Sequence, residues 1–450
     1  MTNTNPSASA TDCNEQPLLF PELTSRPLTV DFAAGHVSSD GGGVLLARLD
    51  RSFGYLQRFA AGFTDHRDPE LIEHTVLELL RQRVYGLALG YEDLNDHDRL
   101  CVDPLLASLC GKKDPLGQDR LRKKDQGKPL AGKSTLNRLE LTPAGADARA
   151  RYKKIVGDPA RLEDFFIAEY VRSLAQDTTA VTLDLDATDD PLHGDQEGKF
   201  FHAYYGGYSY LPLYIFAGNW PVVAWLRTSD RDASDGALEK IKKIVAALRQ
   251  RFPQLKIRLR GDSGFCRDAL LVWCELNAVK YIFGLARNPV LERKLKGGLE
   301  KARQLSEANE GQPARVFVEM TYGAKSWHTR RWVIGKAEWT QGAANPRFII
   351  TNENPLEFSA PELYEKDYCG RGDMENRIKE QPLDLYADRI STATLRANQL
   401  RLWFSTLAYL LMNQLREVGL KGTELARATC GTIHTRLLKI GALVRVSVRR

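Results

Sequence analysis

VTLDLDAT, residues 181–188, alternates apolar and polar side chains and ends in a turn, the pattern of a β-strand with two unlike faces. Val181, Leu183 and Leu185 fall on one face, and Thr182, Asp184 and Asp186 on the other. Two acids on one face of a core strand are costly without a cation to meet them. Downstream, LPLYIFA (211–217) and VVAWLRT (222–228) flank Gly218-Asn219-Trp220-Pro221 and read as a hairpin. ALEKIKKIVAALRQRF (237–252) is an amphipathic helix, LKIRLRGD (255–262) a fourth strand, RDALLVWCELNAV (267–279) a second helix and YIFGLA (281–286) a fifth strand. The order β-β-β-α-β-α-β predicts an α/β fold, a mixed sheet flanked by helices.

Asp262 closes the fourth strand just before a GDSGF turn. Ligand sites in open α/β sheets gather beyond the carboxyl ends of strands, so Asp186 and Asp262 are expected to converge. Two carboxylates about 4 Å apart repel by roughly 4 kcal/mol at an effective dielectric near 20. Either one takes a proton or a divalent cation lies between them. All-oxygen ligands without a Cys or His cluster point to magnesium or manganese. Two such ions, roughly 3.5–4 Å apart, clamp the attacking and leaving oxygens of a phosphoryl transfer. A plainer reading stands beside this one: Asp184 and Asp186 cap a turn, and Asp262 is an N-cap. Asp189 and Asp190 read as turn residues.

A third acid comes from YCGRGDMENRIKE, 368–380. On a helix, Tyr368, Arg371, Glu375 and Lys379 form one stripe of aromatic, cation, anion and cation, suited to phosphates and to one metal ligand. The same spacing also describes a solvated helix with Arg371–Glu375 and Glu375–Lys379 ion pairs.

Outward from this core, residues 1–26 read as a disordered tail, LTVDF (28–32) as a strand, and SSDGGGVLLARLD (38–50) as a Gly-rich turn opening a helix. ELIEHTVLELLRQRVYGLAL (70–89) has helical periodicity, and helical patterns resume to about residue 176. Between them Lys112, Lys113, Arg120, Arg122, Lys123, Lys124, Lys128 and Lys133 crowd a polar loop. This stretch is a charge run suited either to a DNA backbone or to solvent. Residues 290–345 interrupt the core with strand-like RVFVEM (315–320) and RRWVIGKAEW (330–339), FIITN (348–352) is a strand, and helices are expected from about 361. LWFSTLAYLLM (402–412) is too short to span a bilayer and reads as a buried helix. The closing ALVRVSVRR is strand-like with no evident partner, as in a chain cut short.

The net charge of +6 favours a polyanionic partner only mildly. Seven scattered cysteines without a C-x-x-C pair argue against a zinc site or a disulfide framework, so a reducing cytoplasm is expected. The polar N-terminus has no signal-peptide core, and the protein is expected to be soluble, without a membrane. GKPLAGKS (127–134) matches a phosphate-binding loop formally but follows RLRKKDQ, which cannot be the buried strand that motif needs, so no nucleotide cofactor is expected. The RGD triplets at 260–262 and 371–373 carry no adhesive meaning here, and His193 and His202 read as structural.

With acids on strands one and four and a third on a later helix, this order resembles the ribonuclease H-like fold. LDLDATDDPLHG (183–194), RGDSGF (260–265) and the Y-x2-R-x3-E of Tyr368, Arg371 and Glu375 resemble the DDE transposases of bacterial insertion sequences. They are most similar to the branch with a Tyr-Arg-Glu-Lys signature, and within it to the thirteen-eighty group. SSDGGGVLLARLD and LAGKSTLNRLE (130–140) extend the resemblance over nearly the whole chain. It implies that Asp186, Asp262 and Glu375 are catalytic and bind two Mg2+ ions (Mn2+ as substitute). The D-x-T match favours Asp186 over Asp184. Tyr368, Arg371 and Lys379 would contact transposon-end DNA, with Lys123, Lys124 and Lys133 on its backbone. The sequence departs from the branch in having Pro382 where the lysine usually stands, seven residues after the glutamate.

The implied organisation is a tail (1–26), a mostly helical N-terminal DNA-binding domain (27–176) and a catalytic core begun at 177–289. A β-rich insertion domain (290–345) follows, then the rest of the core with a helical C-terminal region (346–450). In the insertion, Trp327 or Trp332 would support a flipped base during hairpin formation. The expected activity is cut-and-paste transposition by a homodimer on paired terminal inverted repeats of double-stranded DNA, inserting into target DNA, in a bacterial cytoplasm and associated with the nucleoid. Two rivals remain: a metal-dependent nuclease of the same fold, and a non-catalytic DNA-binding regulator.

Overall fold

The computed structural model describes residues 18–19, 29–30, 35–203 and 206–447. Apart from Leu18–Leu19, which pairs with Thr29–Val30, the expected tail lies outside the described residues. Helix α1 (Gly43–Phe53) follows the Gly-rich turn as expected. Helix α2 (Val76–Ala88) starts at a capping box in which Thr75 and Glu78 satisfy each other's backbone N–H. The basic stretch is mostly turns, and α3 (Lys133–Glu140) begins at its end. Helix α4 (Pro159–Ser173) is capped by Asp158, with Pro159 at its first position.

Strand β1 (Ala180–Ala187) is the alternating stretch, with Leu183 and Leu185 fully buried on its apolar face. Strands β2 (Leu213–Ala217) and β3 (Trp220–Trp225) form the expected hairpin. Helix α5 (Ala237–Arg251), β4 (Lys256–Gly261), α6 (Asp268–Leu276) and β5 (Lys280–Leu285) follow. The strand order is β3-β2-β1-β4-β5, with β4 parallel to β1 and β5, and β2 antiparallel to β1. That is a ribonuclease H-like sheet. Between β1 and β2 lies a small three-stranded sheet of Asp190–Pro191, Phe200–His202 and Gly207–Tyr210, so Asp190 is a buried strand residue and not a turn residue.

Segment 290–345, expected to be a β-rich insertion, differs from that expectation. Helix α7 (Pro289–Ala308) fills its first third, burying Leu291, Leu295, Gly298, Ala302 and Ser306 at helical spacing. Strands β6 (Ala314–Tyr322) and β7 (Arg331–Thr340) then form a hairpin. Through β8 (Arg347–Thr351) this hairpin continues the central sheet in the order β5-β8-β7-β6. Helix α8 runs over 360–385 and α9 is Leu395–Gln414. Helix α9 buries seventeen of its twenty residues, as the apolar run predicts. The closing strand-like pattern does have a partner, because Ala442–Leu443 pairs with Val37–Ser38.

Three clusters hold the molecule. Helices α5, α6 and α7 cover one face of the sheet, over Leu183 and Leu185. On the other face, Tyr214 and Phe216 of β2 join a core shared by the N-terminal helices and α9. Further along that second face, Ile282, Ile334 and Ile349 pack under Leu363 and Tyr364 of α8. Asp184 and Asp186 project on this second face, between the two coverings. No helix among the described residues is long and apolar enough to cross a membrane, and the six described cysteines are all free.

Candidate active site

Register fixes the first two acids. Asp184 pairs across the parallel ladder with Arg260, and Gly261 with Leu185, so Asp186 and Asp262 continue past the end of the β1–β4 pairing. Asp184 is 2% exposed and takes a two-pronged bond from Arg260, Nε to Oδ1 at 2.5 Å and Nη2 to Oδ2 at 2.8 Å. Its charge is spent within the fold. Asp186 has no such partner among the described residues: there it accepts from the Ala187 N–H at 3.0 Å and lies 3.7 Å from Arg371 Nη1. Burial, with the charges of Asp262 and Glu375, lifts its carboxyl to about 6 against the opposing pull of Arg371. Asp262 accepts from the Gly264 N–H at 2.8 Å and caps the short turn Ser263–Phe265, as the plainer reading of the sequence had it. Capping occupies one oxygen and leaves the carboxylate facing a cleft of about 480 Å³.

Helix α8 brings the third acid, but not as a regular stripe. It opens with a π-helical turn, Leu363–Tyr368, tightens to a 3-10 turn, Cys369–Arg371, and becomes α-helical from Gly372 to Leu385. Such irregular turns recur where a helix must present side chains to a site. Arg371 Nη2 donates to Glu375 Oε1 at 2.6 Å, the ion pair expected of the solvated helix. The same guanidinium faces Asp186, and the charges of Asp186, Tyr368, Glu375 and Asp262 overcome its burial to raise its pKa. The three acids thus share one electrostatic neighbourhood centred on Arg371. Among the described residues no three acidic, His or Cys side chains stand at metal-holding distance as they are arranged around that arginine.

Tyr368 belongs to this neighbourhood too. Its ring leans on Tyr364 at 5.6 Å, and burial, with Asp262 next among the causes that raise it, moves its hydroxyl upward in pKa. Gly284 makes room for it: a side chain there would meet the Tyr368 hydroxyl at 2.8 Å. Lys379 does not join. It is exposed and makes no ion pair or hydrogen bond among the described residues, although it stands one helical turn after Glu375. Pro382 is accommodated inside the helix.

The cleft lined by the basic stretch shares no residue with the one beside Asp262. Lys123 and Lys124 are exposed without an ion-pair partner among the described residues, and Lys124 lines a cleft of about 650 Å³ with Arg122 and Lys128. Lys133 pairs with Asp98 at 3.1 Å. Lys112 and Arg120, by contrast, are committed to Glu78 and Glu73. Of the two tryptophans, Trp332 packs in the cluster that includes Tyr364 and Tyr368. Trp327 packs on the other face of the sheet, edge-on to Tyr322.

Two supports escaped the reading of the sequence. Arg260 holds both Asp184 and the Asp367 carbonyl, the latter at 2.5 Å, tying β4 to α8. Arg258 reaches Glu353 at 2.7 Å and Asp367 at 2.8 Å. The signal was present in KIRLRGD: Arg258, Arg260 and Asp262 alternate, and the register sets Arg258 and Arg260 opposite Thr182 and Asp184, with Asp262 one step past the pairing, level with Asp186.

A model of the transposase DDE domain group 1 family matches residues 20–450. The chain belongs to this family. It is a DDE transposase, an enzyme of DNA strand cleavage and transfer, and its family works with divalent cations. Among solved structures, a piggyBac transposase synaptic complex with hairpin DNA is similar at 9% identity over 88% of this chain and 79% of that chain, with a TM-score of 0.41. No curated protein matches the transposase.

Proposed function

We propose that this transposase works by cut-and-paste, nicking transposon ends and joining the freed 3′-hydroxyl to target DNA. The observation that carries the reading is the gathering of Asp186, Asp262 and Glu375 around Arg371 beyond the ends of β1 and β4. The donor set is all carboxylate, and a carboxyl group as buried and acid-crowded as Asp186 suits a site meant for added positive charge. Asp186, Asp262 and Glu375 would hold two Mg2+ ions, or Mn2+, which supply activation of the attacking oxygen and neutralisation of the leaving one. Around them, Arg371 carries the mobile counter-charge. When the carboxylates are engaged elsewhere, its fork is free to pair with a phosphate in the planar, two-pronged way arginine favours. Tyr368 orients the strand, and the Asp184–Arg260 pair fixes the height of α8 over the sheet.

The finer readings belong to the same proposal. The partner is double-stranded DNA with terminal inverted repeats, held by a homodimer on paired ends near the nucleoid, with Lys123, Lys124 and Lys133 on the backbone. Lys379 remains a candidate DNA contact outside the acid cluster. For a hairpin at the excised end, Trp332 is the better candidate because it packs with Tyr364 and Tyr368.

The test is incubation with Mg2+ and a duplex carrying the element's end. Nicked and joined products that vanish with chelator are expected, and Asp186→Asn, Asp262→Asn and Glu375→Gln should each lower them by roughly 100-fold or more. Nicking without joining would favour the nuclease. Cleavage untouched by Asp262→Asn would overturn the assignment.

A further inference from the structure

We infer that the cleft beside Asp262 receives an unpaired DNA strand, with Arg287 and Arg347 on its phosphates and Tyr368 under a base. The inference rests on the transposase reading and adds the path by which a strand reaches the acids. The cleft, about 480 Å³, is lined by Asp262, Ser263, Arg287, Arg347, Tyr364 and Tyr368 among others. Arg287 follows the carboxyl end of β5, and Arg347 opens β8, the neighbouring strand. The two arginines therefore stand near the same ends of two paired strands.

Their freedom sets them apart. Other arginines of the same sheet are committed: Arg258 to Glu353 and Asp367, Arg260 to Asp184, and Arg331 to Asp268 and Glu275. Lys336, the cross-strand neighbour of Arg347, is paired with Glu338. Arg287 and Arg347 are exposed and have no carboxylate partner among the described residues. Two uncommitted guanidiniums on a concave wall match successive phosphates, whose oxygens accept their paired N–H groups.

The aromatic component distinguishes a strand from a duplex. Tyr368 is partly exposed in the cleft, braced by Tyr364, and within electrostatic reach of Arg347. Stacking on a tyrosine is open to a splayed base and closed to one already stacked inside a duplex. Asp262 itself lines the cleft, so a strand lying in it passes beside a carboxylate of the proposed site.

The experiment uses the full chain in chelator, where no cleavage occurs, with a short single-stranded oligonucleotide and the blunt duplex of the same sequence as probes. Binding is followed by fluorescence anisotropy across a salt series. Arg287→Ala/Arg347→Ala should weaken the single strand about ten-fold or more and flatten its log K against log salt slope by about 1.4, two phosphates at about 0.7 each. Duplex binding should change less than about two-fold, and Arg287→Lys/Arg347→Lys should restore most of the slope. Equal loss for both probes, or none for the single strand, overturns the inference. Unchanged thermal melting of the double variant excludes unfolding as the cause of any loss. Nicking by Asp262→Asn is a separate arm: if it persists, the catalytic reading fails while the oligonucleotide result stands on its own.

Discussion

Asp184 and Asp186 sit two residues apart on one strand face, in opposite electrostatic surroundings. Asp184 is matched by a buried, two-pronged arginine, so removing it strands Arg260 in the fold. Asp184→Ala should cost about 3–5 kcal/mol in urea unfolding, the scale for orphaning a buried ionic partner. Asp186→Asn should leave stability unchanged or raise it, because burial and two nearby acids already oppose that charge. Equal destabilisation by both changes would contradict the division of labour drawn between them. Alternation in VTLDLDAT made both acids visible in the sequence but could not separate them. What separates them is the cross-strand partner, which depends on register between segments some seventy residues apart. Lys379 illustrates the opposite limit: the Arg371–Glu375 pair forms as the helical stripe foretells, but Lys379, one regular turn beyond Glu375, stays exposed without an ion pair among the described residues, which no periodicity announces.

At the scale of elements, α7 shows why part of the fold escaped notice. KLKGGLEKA carries two adjacent glycines, which argue against a helix on propensity alone. The glycines have different positions. A side chain on Gly298 would meet Val318 Cγ2 at 2.7 Å and Ala337 Cβ at 3.1 Å, so its bareness seats the helix against β6 and β7. One on Gly297 would meet nothing within 4 Å. Gly297→Ala should therefore stabilise by about 0.5–1 kcal/mol, and Gly298→Ala should destabilise by about 1–3 kcal/mol. Calorimetric melting of the pair checks the contrast, and two shifts of the same sign would refute the packing argument. The ribonuclease H-like strands were legible because each has its own alternation and turn. That β6 and β7 extend the same sheet was not, since a hairpin reads alike whether it stands alone or joins an edge.

For the whole molecule, acid should be the weak side. Burial, with Arg83 next among the causes that lower it, holds His97 down to about 3, and Gln82 donates to its Nδ1. His74 is held to about 2 by burial and then by Lys112 and Arg120. Both rings are neutral in the folded state, while the unfolded chain takes up protons below pH 6.5. Their contribution is fully present above about pH 6.5 and is lost as pH falls toward 3, roughly 2 kcal/mol per histidine by pH 5. His97→Gln should flatten the fall in melting temperature between pH 7 and pH 5, and an unaltered slope would count against it.

The same helical core joins the first and last parts of the chain, since α2 packs against α9. On a ribosome, roughly 300 residues separate the emergence of these helices, roughly 15–60 s of elongation at roughly 5–20 residues per second. Through that interval Leu79, Leu80 and Val84 wait without the surface that will cover them. Slow translation of the middle of the message should therefore prolong the exposure of this nascent apolar surface.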